Sequence, residues 1–342
     1  MTARIERWSM VLAGGVCGVL VLGSVSGCAA GGDRPTDGPT AGGVAGADDP
    51  YAAVNTVAYD RGVWQQLLSD HTKIRRSVVY SPTGVDATTE SDDPIVAARI
   101  KDHARSMQAR IKAGARVRVW DPVFTDLFDR HGEVSLDVTE TDRGVRISER
   151  ASTPEAVALL WSHAAGVSEF VREGHRAGGR ATARIPTGTP VPAPEVAIGG
   201  VTHRVLLAQP DAGQLALLKA SGVGGVINLR TPAEQAGFDE ATASASAGLT
   251  YTPVPFKSPE DLSDAVMDAA VAALREAESA GRTAALHCRT GNRAGPVWIA
   301  WRTLDGGVPI ERAVAEAKMM QMVTPQYEAI ARDYVRRKSG GG

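Results

Sequence analysis

Thr283-Ala284-Ala285-Leu286-His287-Cys288-Arg289-Thr290-Gly291-Asn292-Arg293-Ala294-Gly295-Pro296-Val297-Trp298 is the stretch on which the reading of this chain turns. Thr283 to His287 is a short apolar run of the kind that forms a buried strand. From Ala294 the pattern changes to that of a helix, with Pro296 tolerated in its first turn. Cys288 therefore stands at the carboxyl end of a strand and just ahead of a helix, where open α/β sheets bind their ligands. N–H groups at a helix start have no intrahelical partner, and the helix dipole adds partial positive charge there. Gly291 permits the positive φ that a loop curled around an anion requires. Such a setting favours the thiolate of Cys288, which is the nucleophilic form of the side chain. The same N–H groups stabilise an incoming oxyanion, and the planar guanidinium of Arg293 adds a two-pronged contact to it. Arg289, Thr290, Gly291 and Asn292 form the rest of the loop.

Counting cysteines sharpens this reading. The chain has three, Cys17, Cys28 and Cys288. Arg4 and Arg7, the uncharged apolar run Trp8 to Val25, and Val25-Ser26-Gly27-Cys28 have the layout of a secretory signal. The tetrapeptide resembles the lipobox of bacterial lipoproteins, in which Cys28 is acylated and becomes the new first residue. The expected organisation is a signal peptide over 1–27 and a flexible Gly/Ala/Asp/Pro/Thr tether over 28–50. The folded part is expected on the extracytoplasmic face of the cell membrane, held by lipid. Removal of the signal leaves Cys288 as the sole thiol, where paired cysteines are the rule.

Working outward from the loop, the segment 196–338 alternates strand and helix. Strands are expected at Val205–Ala208, Val226–Leu229, Leu249–Val254 and Thr283–His287. Helices are expected at Ala212–Ala220, Asp239–Ala247, Pro259–Ala280, Ala294–Leu304, Ile310–Gln321 and Pro325–Arg337. This order implies a mostly parallel sheet covered by helices, an α/β domain.

Gln209-Pro210, Leu215, Leu218, Gly222-Val223, Val226-Ile227-Asn228-Leu229-Arg230 and His287 to Arg293 together resemble the phosphatase-like domain of beta-lactamase-hydrolase-like proteins. That family is similar to dual-specificity and tyrosine phosphatases. The resemblance covers about 196–325 and implies a phosphoric ester hydrolase with Cys288 as nucleophile, Arg293 as anion clamp and no cofactor. Two features depart from the tyrosine phosphatases. They have five residues between cysteine and arginine, and this chain has four, 289 to 292. Loops of that shorter form resemble rhodaneses, which carry a persulfide on the cysteine. Where phosphatases place a general-acid aspartate, this chain has Lys257, with Glu260, Asp261 and Asp264 the nearest carboxylates. Glu260 and Asp261 are the candidate acids, against the alternative of a solvated helix start. The residue after Arg293 is Ala294, so the hydroxyl that assists thiolate departure is absent there and Thr290 is its candidate substitute. His287 is a candidate support of the loop, and Arg230 a candidate substrate contact at the end of its strand.

The segment 51–178 contains an internal duplication. Gly84/Gly144, Pro94/Pro154, His103/His163 and His71/His131 are each 60 residues apart without a gap, and a repeat organises everything else. Each copy reads as helix, hairpin, helix, giving an α+β domain of two related halves about a pseudo-two-fold axis. His71, His103, His131 and His163 are a candidate metal set, against the alternative that duplication copied structural histidines. Residues 179–195, with Pro186, Pro190, Pro192 and Pro194, form a linker that stiffens the chain.

With a formal net charge of −2 the chain has no basic excess to argue for nucleic acid. Three readings remain. One is a membrane-anchored cysteine-dependent phosphatase-like hydrolase. Another is a sulfurtransferase working through a Cys288 persulfide. The last is a surface lipoprotein that binds anions or metal without catalysis. The expected partner is a phosphorylated or sulfur-containing small molecule or protein.

Overall fold

Helix starts in this chain are set by short polar side chains that accept otherwise unpaired N–H groups. Thr56 accepts from Tyr59 N and begins α1 (Val57–Ser69). The hairpin β1 (Ile74–Ser81) and β2 (Gly84–Ser91) follows. Asp93 then caps α2 (Pro94–Ala113), which ends on Gly114 in the left-handed conformation. The same order repeats as α3 (Pro122–Asp129) capped by Asp121, β3 (Val134–Thr141), β4 (Gly144–Ala151), and α4 (Pro154–Glu173) capped by Thr153. The strands, α2 and α4 recur at an interval of 60 residues to the residue. The pairing of β2 with β4 has the same internal symmetry, with Ala87 opposite Ile147. Gly84 and Gly144 are obligatory at this crossing, because a Cβ on either would lie about 2 Å from the carbonyl oxygen of Glu149 or Thr89.

The structure is a computed structural model that describes residues 56–201, 203–235 and 237–340. The signal, the tether and Cys28 lie outside the described residues. The described residues belong to one compact unit. No helix among them is long and apolar enough to cross a membrane.

A short helix α5 (His175–Gly178) closes the first half. The proline-containing segment then leads into β5 (Glu195–Ile198), a strand the sequence reading left unassigned where the linker meets the second domain. β5 pairs antiparallel with β1 and with β6 (Arg204–Leu206). An unpaired edge on β1 would expose a row of N–H and C=O groups, and β5 covers it. The second half continues with α6 (Ala212–Ala220), β7 (Val223–Asn228), α7 (Glu240–Ser246), β8 (Thr250–Pro253), α8 (Asp264–Ser279), β9 (Thr283–His287), α9 (Ala294–Leu304), α10 (Ile310–Met319) and α11 (Pro325–Ser339). Strands β6, β9, β7 and β8 are parallel. One sheet therefore runs through both halves in the order β3-β4-β2-β1-β5-β6-β9-β7-β8. The expected helix Pro259–Ala280 is divided. Pro259–Asp261 is a single 3-10 turn, and Ser263 caps α8 afresh.

Alternate residues of the parallel strands face two cores, as strand geometry demands. Leu206, Val226 and Ala285 pack with Leu215 and Leu218 of α6. Val205, Ile227, Leu286 and Cys288 pack with α8, α9, α10 and α11. This sandwich fixes the carboxyl end of β9 and the start of α9, and hence the loop between them.

Candidate active site

Cys288 leaves β9 at the end of the sheet with its side chain 1% exposed, among the apolar residues shared with α9. Its sulfur is not wholly in apolar surroundings. The main-chain N–H of Gly291 donates to Sγ at 3.1 Å. Among the described residues, no protein acceptor takes the N–H of Arg289, Thr290, Asn292 or Arg293. The loop thus presents donors without partners beside a sulfur, at the start of an eleven-residue helix. Gly291 makes the curl feasible. Its φ is +89°, and a Cβ there would lie 2.1 Å from the carbonyl oxygen of Met320.

The side chains of the loop divide sharply. Arg289 and Thr290 are exposed at the rim, while Arg293 is buried. Asn292 does not face the cysteine as an anion ligand. Its Nδ2 donates to Thr324 Oγ1 at 2.8 Å and its Oδ1 accepts from Val323 N and Thr324 N. It therefore ties the loop to the segment before α11. Arg293 Nη1 and Nη2 donate to the two oxygens of Glu234 at 2.8 and 2.6 Å, and Nη1 also donates to Phe256 O at 2.7 Å. A guanidinium has five N–H donors. Glu234 takes the end-on edge, and the Nε–H and remaining Nη2–H edge has no acceptor among the described residues. The Arg293 guanidinium holds the Glu234 carboxyl down at about 2, so the pair stays ionised. Tyr327, buried near Cys288 and Arg293, has its hydroxyl pushed up to about 12, chiefly by burial.

Beneath the loop lies a polar layer. His287 Nε2 is 2.7 Å from Glu240 Oε1, both side chains fully buried, though off the line of a hydrogen bond. His287 Nδ1 lies 3.2 Å from Cys288 O. Glu240 Oε2 accepts from Gln209 Nε2 at 2.8 Å and from Asn228 Nδ2 at 2.7 Å. Arg230 belongs to the same layer. It is buried, its N–H donates to Asn228 Oδ1 at 2.8 Å, and Nη1 donates to Gln209 Oε1. His287 and Arg230 are thus internal braces of the strand ends, and Arg230 is not poised at the surface for substrate.

Glu260 and Asp261 are placed differently from an acid. Asp261 Oδ2 accepts from Lys257 N, Ser258 N and Ser258 Oγ at 3.2, 3.0 and 3.1 Å. Those main-chain donations, with the Ser258 hydroxyl, hold its carboxyl below the usual range. The Ser258 hydroxyl does the same to Glu260. A general acid must be protonated near the working pH, and both groups are displaced the other way. Asp261 serves as the solvated cap of the turn.

The four repeated histidines do not converge. His71 Nδ1 is 3.0 Å from Val171 O, and His131 Nδ1 is 3.0 Å from Phe128 O, so both are spent on main-chain carbonyls. Among the described residues there is no group of three or more His, Cys, Asp or Glu side chains suited to a metal ion. His103 and His163 remain together, in the wall of a cavity taken up below. Glu234, Glu240 and Tyr327 were missed by sequence reasoning. Glu234 carries no signal beyond lying just after a strand, and its partner is far along the chain.

No family model and no curated protein matches this chain. It is similar in part to solved structures. A putative phosphatase (DUF442) from Shewanella putrefaciens CN-32 is 21% identical, with 40% of this chain and 85% of that one covered, at a TM-score of 0.34. Tk-PTP in its active form is 18% identical over 40% of this chain and 93% of its own, at 0.35. TpbA of P. aeruginosa, solved with pTyr, is 19% identical over 40% and 86%, at 0.32. With TM-scores this low, the chemistry of this chain rests on its own residues.

Proposed function

We propose that this chain is a cysteine-dependent phosphatase-like hydrolase. The observation that carries the reading is the Gly291 N–H held 3.1 Å from Cys288 Sγ in a loop of unpaired donors. Those donors and the free edge of Arg293 suit the three equatorial oxygens of a phosphoryl group. In the proposed reaction the thiolate attacks phosphorus, an S–P bond forms and the P–O bond to the leaving group breaks with its electron pair. Water then attacks the phosphocysteine, phosphate leaves, and the thiolate is restored. Glu234 and Phe256 O keep the guanidinium from turning with each cycle. Because Asp261 is occupied as the cap of its turn, the leaving oxygen receives its proton from solvent or departs as an anion. The substrate class is therefore a phosphate monoester with an acidic alcohol, such as an aryl phosphate.

A second reading has one observation in its favour, the interval of four residues between Cys288 and Arg293. It gives a narrower cradle and suits a sulfurtransferase with a Cys288 persulfide. One experiment separates the two. The purified protein and Cys288→Ser are assayed for phosphate release from p-nitrophenyl phosphate and for thiocyanate from thiosulfate plus cyanide. Phosphate release lost in the variant supports the hydrolase, thiocyanate alone supports the transferase, and silence in both leaves a non-catalytic anion binder.

We further propose attachment to the extracytoplasmic face of the membrane through lipid on Cys28, supported by Arg4, Arg7, the apolar run to Val25 and Val25-Ser26-Gly27-Cys28. Metabolic labelling with palmitate, present in the parent and absent in Cys28→Ala, is the expected result.

A further inference from the structure

The first half encloses a cavity of about 490 Å³ between its sheet and its helices. Its wall is built from equivalent positions of the 60-residue interval, with Trp64 facing it beside Phe124, Leu67 beside Leu127, and His103 beside His163. The wall is mainly apolar, as ligand cavities usually are. Val57, Val119 and Trp120, three of the six large apolar side chains exposed among the described residues, also belong to it and form an apolar mouth. Inside the wall Nδ1 of His103 and Nε of Arg76 are buried without a hydrogen-bond partner, and Nδ1 of His163 lies 3.3 Å from Glu149 Oε1, off the line of a hydrogen bond. Orphaned polar atoms beside empty apolar space mark a place where something else completes the bonding.

Apart from Arg61, which is exposed, the charges in this wall are already matched. Asp60 pairs with Arg110, Arg116 with Asp129, Arg118 with Asp121, and Arg76 and His163 have Glu149 close by. Burial keeps His103 neutral, down at about 4. An ionised ligand end directed at His103 and His163 would lose its hydration, and the charges buried beside them are already paired. A hydroxyl or carbonyl oxygen meets the orphaned nitrogens at no such cost. Arg118 closes one end, its guanidinium 4.1 to 5.3 Å from the ring centroids of Trp120, Trp64, Phe124 and Phe170, with a φ of +51° that only a firm local structure sustains.

We propose that this cavity binds one uncharged amphipathic molecule, a single apolar chain ending in a hydroxyl or carbonyl oxygen directed at His103 and His163. At about 30 Å³ per water-sized group the space holds on the order of sixteen such groups. The test uses the full chain and three probes of equal length, hexadecanol, palmitate and hexadecane. Binding is read by displacement of a fluorescent alkyl dye and by native mass spectrometry. Hexadecanol is expected to bind one per chain and more tightly than either of the others. Tighter binding of palmitate would overturn the uncharged end, and equal binding of hexadecane would overturn the role of the histidines. No binding of any probe overturns the site. Val167→Trp, which fills the cavity, is expected to abolish binding with the circular dichroism unchanged. Should that variant fail to fold, His103→Leu serves instead. It is expected to remove the roughly fivefold to tenfold advantage of the alcohol over the alkane, as loss of one hydrogen bond does. Retention of the advantage would overturn the assignment.

Discussion

Besides the cysteine, two residues decide whether the Cys288 loop works. Gly291 has the left-handed φ and the 2.1 Å approach to Met320 O that no side chain tolerates. Gly291→Ala is expected to cost about 1–3 kcal/mol through strain and to displace the N–H that serves Sγ. Phosphate release should fall more than overall stability in denaturant titrations. The second residue is Glu234, whose carboxylate holds Arg293 rather than the sulfur. Its folded-state pKa of about 2 lies below the unfolded value of 4.5. A depressed carboxylate contributes stability that is present above the unfolded value and lost as pH falls through the folded one. Glu234→Gln should therefore melt lower than the parent at neutral pH. The gap should close between pH 4.5 and about 2. A gap that persisted below that window would show that Glu234 stabilises by packing alone. At neutral pH the same variant should raise KM for the phosphoester, because Arg293 is then free to rotate.

At the scale of elements, what was legible in the sequence was what is local. Strand, cysteine, glycine and helix are neighbours in the chain, so β9, the loop and α9 could be read from sixteen consecutive residues. The hairpins β1–β2 and β3–β4 are likewise local, each a short turn between neighbouring strands. Elements whose existence depends on distant partners could not be read. Glu195–Ile198 is four residues between prolines and glycines, and it is a strand because β1 and β6 are there to pair with. Asp261 was legible as an acid near the site, but its employment was not, because a cap and a general acid look alike until the acceptor geometry is known. This yields a test at the level of the turn before α8. Asp261→Asn keeps an oxygen that accepts from Ser258 and is expected to lower the melting temperature only slightly and to leave the pH dependence of phosphate release unchanged. It should also leave unchanged a steep preference for aryl over alkyl phosphates. A shifted acidic limb in the pH–rate profile would identify Asp261 as the proton donor after all.

Across the whole molecule the joint between the halves is covalently a proline-rich segment and physically a sheet. β5 is hydrogen-bonded on both edges, so neither half completes its sheet without the other. The joint also contains buried charge. Arg204 Nη1 donates to Glu195 Oε2 at 2.7 Å, both side chains almost fully buried, and Arg172 from α4 adds a second positive charge nearby. Burial pulls the Arg172 guanidinium down to about 10, and the positive charge of Arg204 adds to that fall. Such a cluster contributes little net stability when complete, because desolvation offsets attraction, but breaking it leaves an unpaired buried charge. Glu195→Ala is accordingly expected to cost about 3–5 kcal/mol, an effect far larger than its size in contacts suggests. Because the cluster and the sheet belong to both halves, this loss should lower one cooperative calorimetric transition rather than one of two. If instead the segment containing Cys288 melted unchanged while the first half melted early, the shared sheet would not couple the cavity to the loop. The alcohol-binding and phosphate-releasing activities should then also be separable by cutting the chain near Pro190. With coupling, saturating hexadecanol raises the melting temperature of the whole molecule, and the thermal loss of phosphatase activity moves up with it.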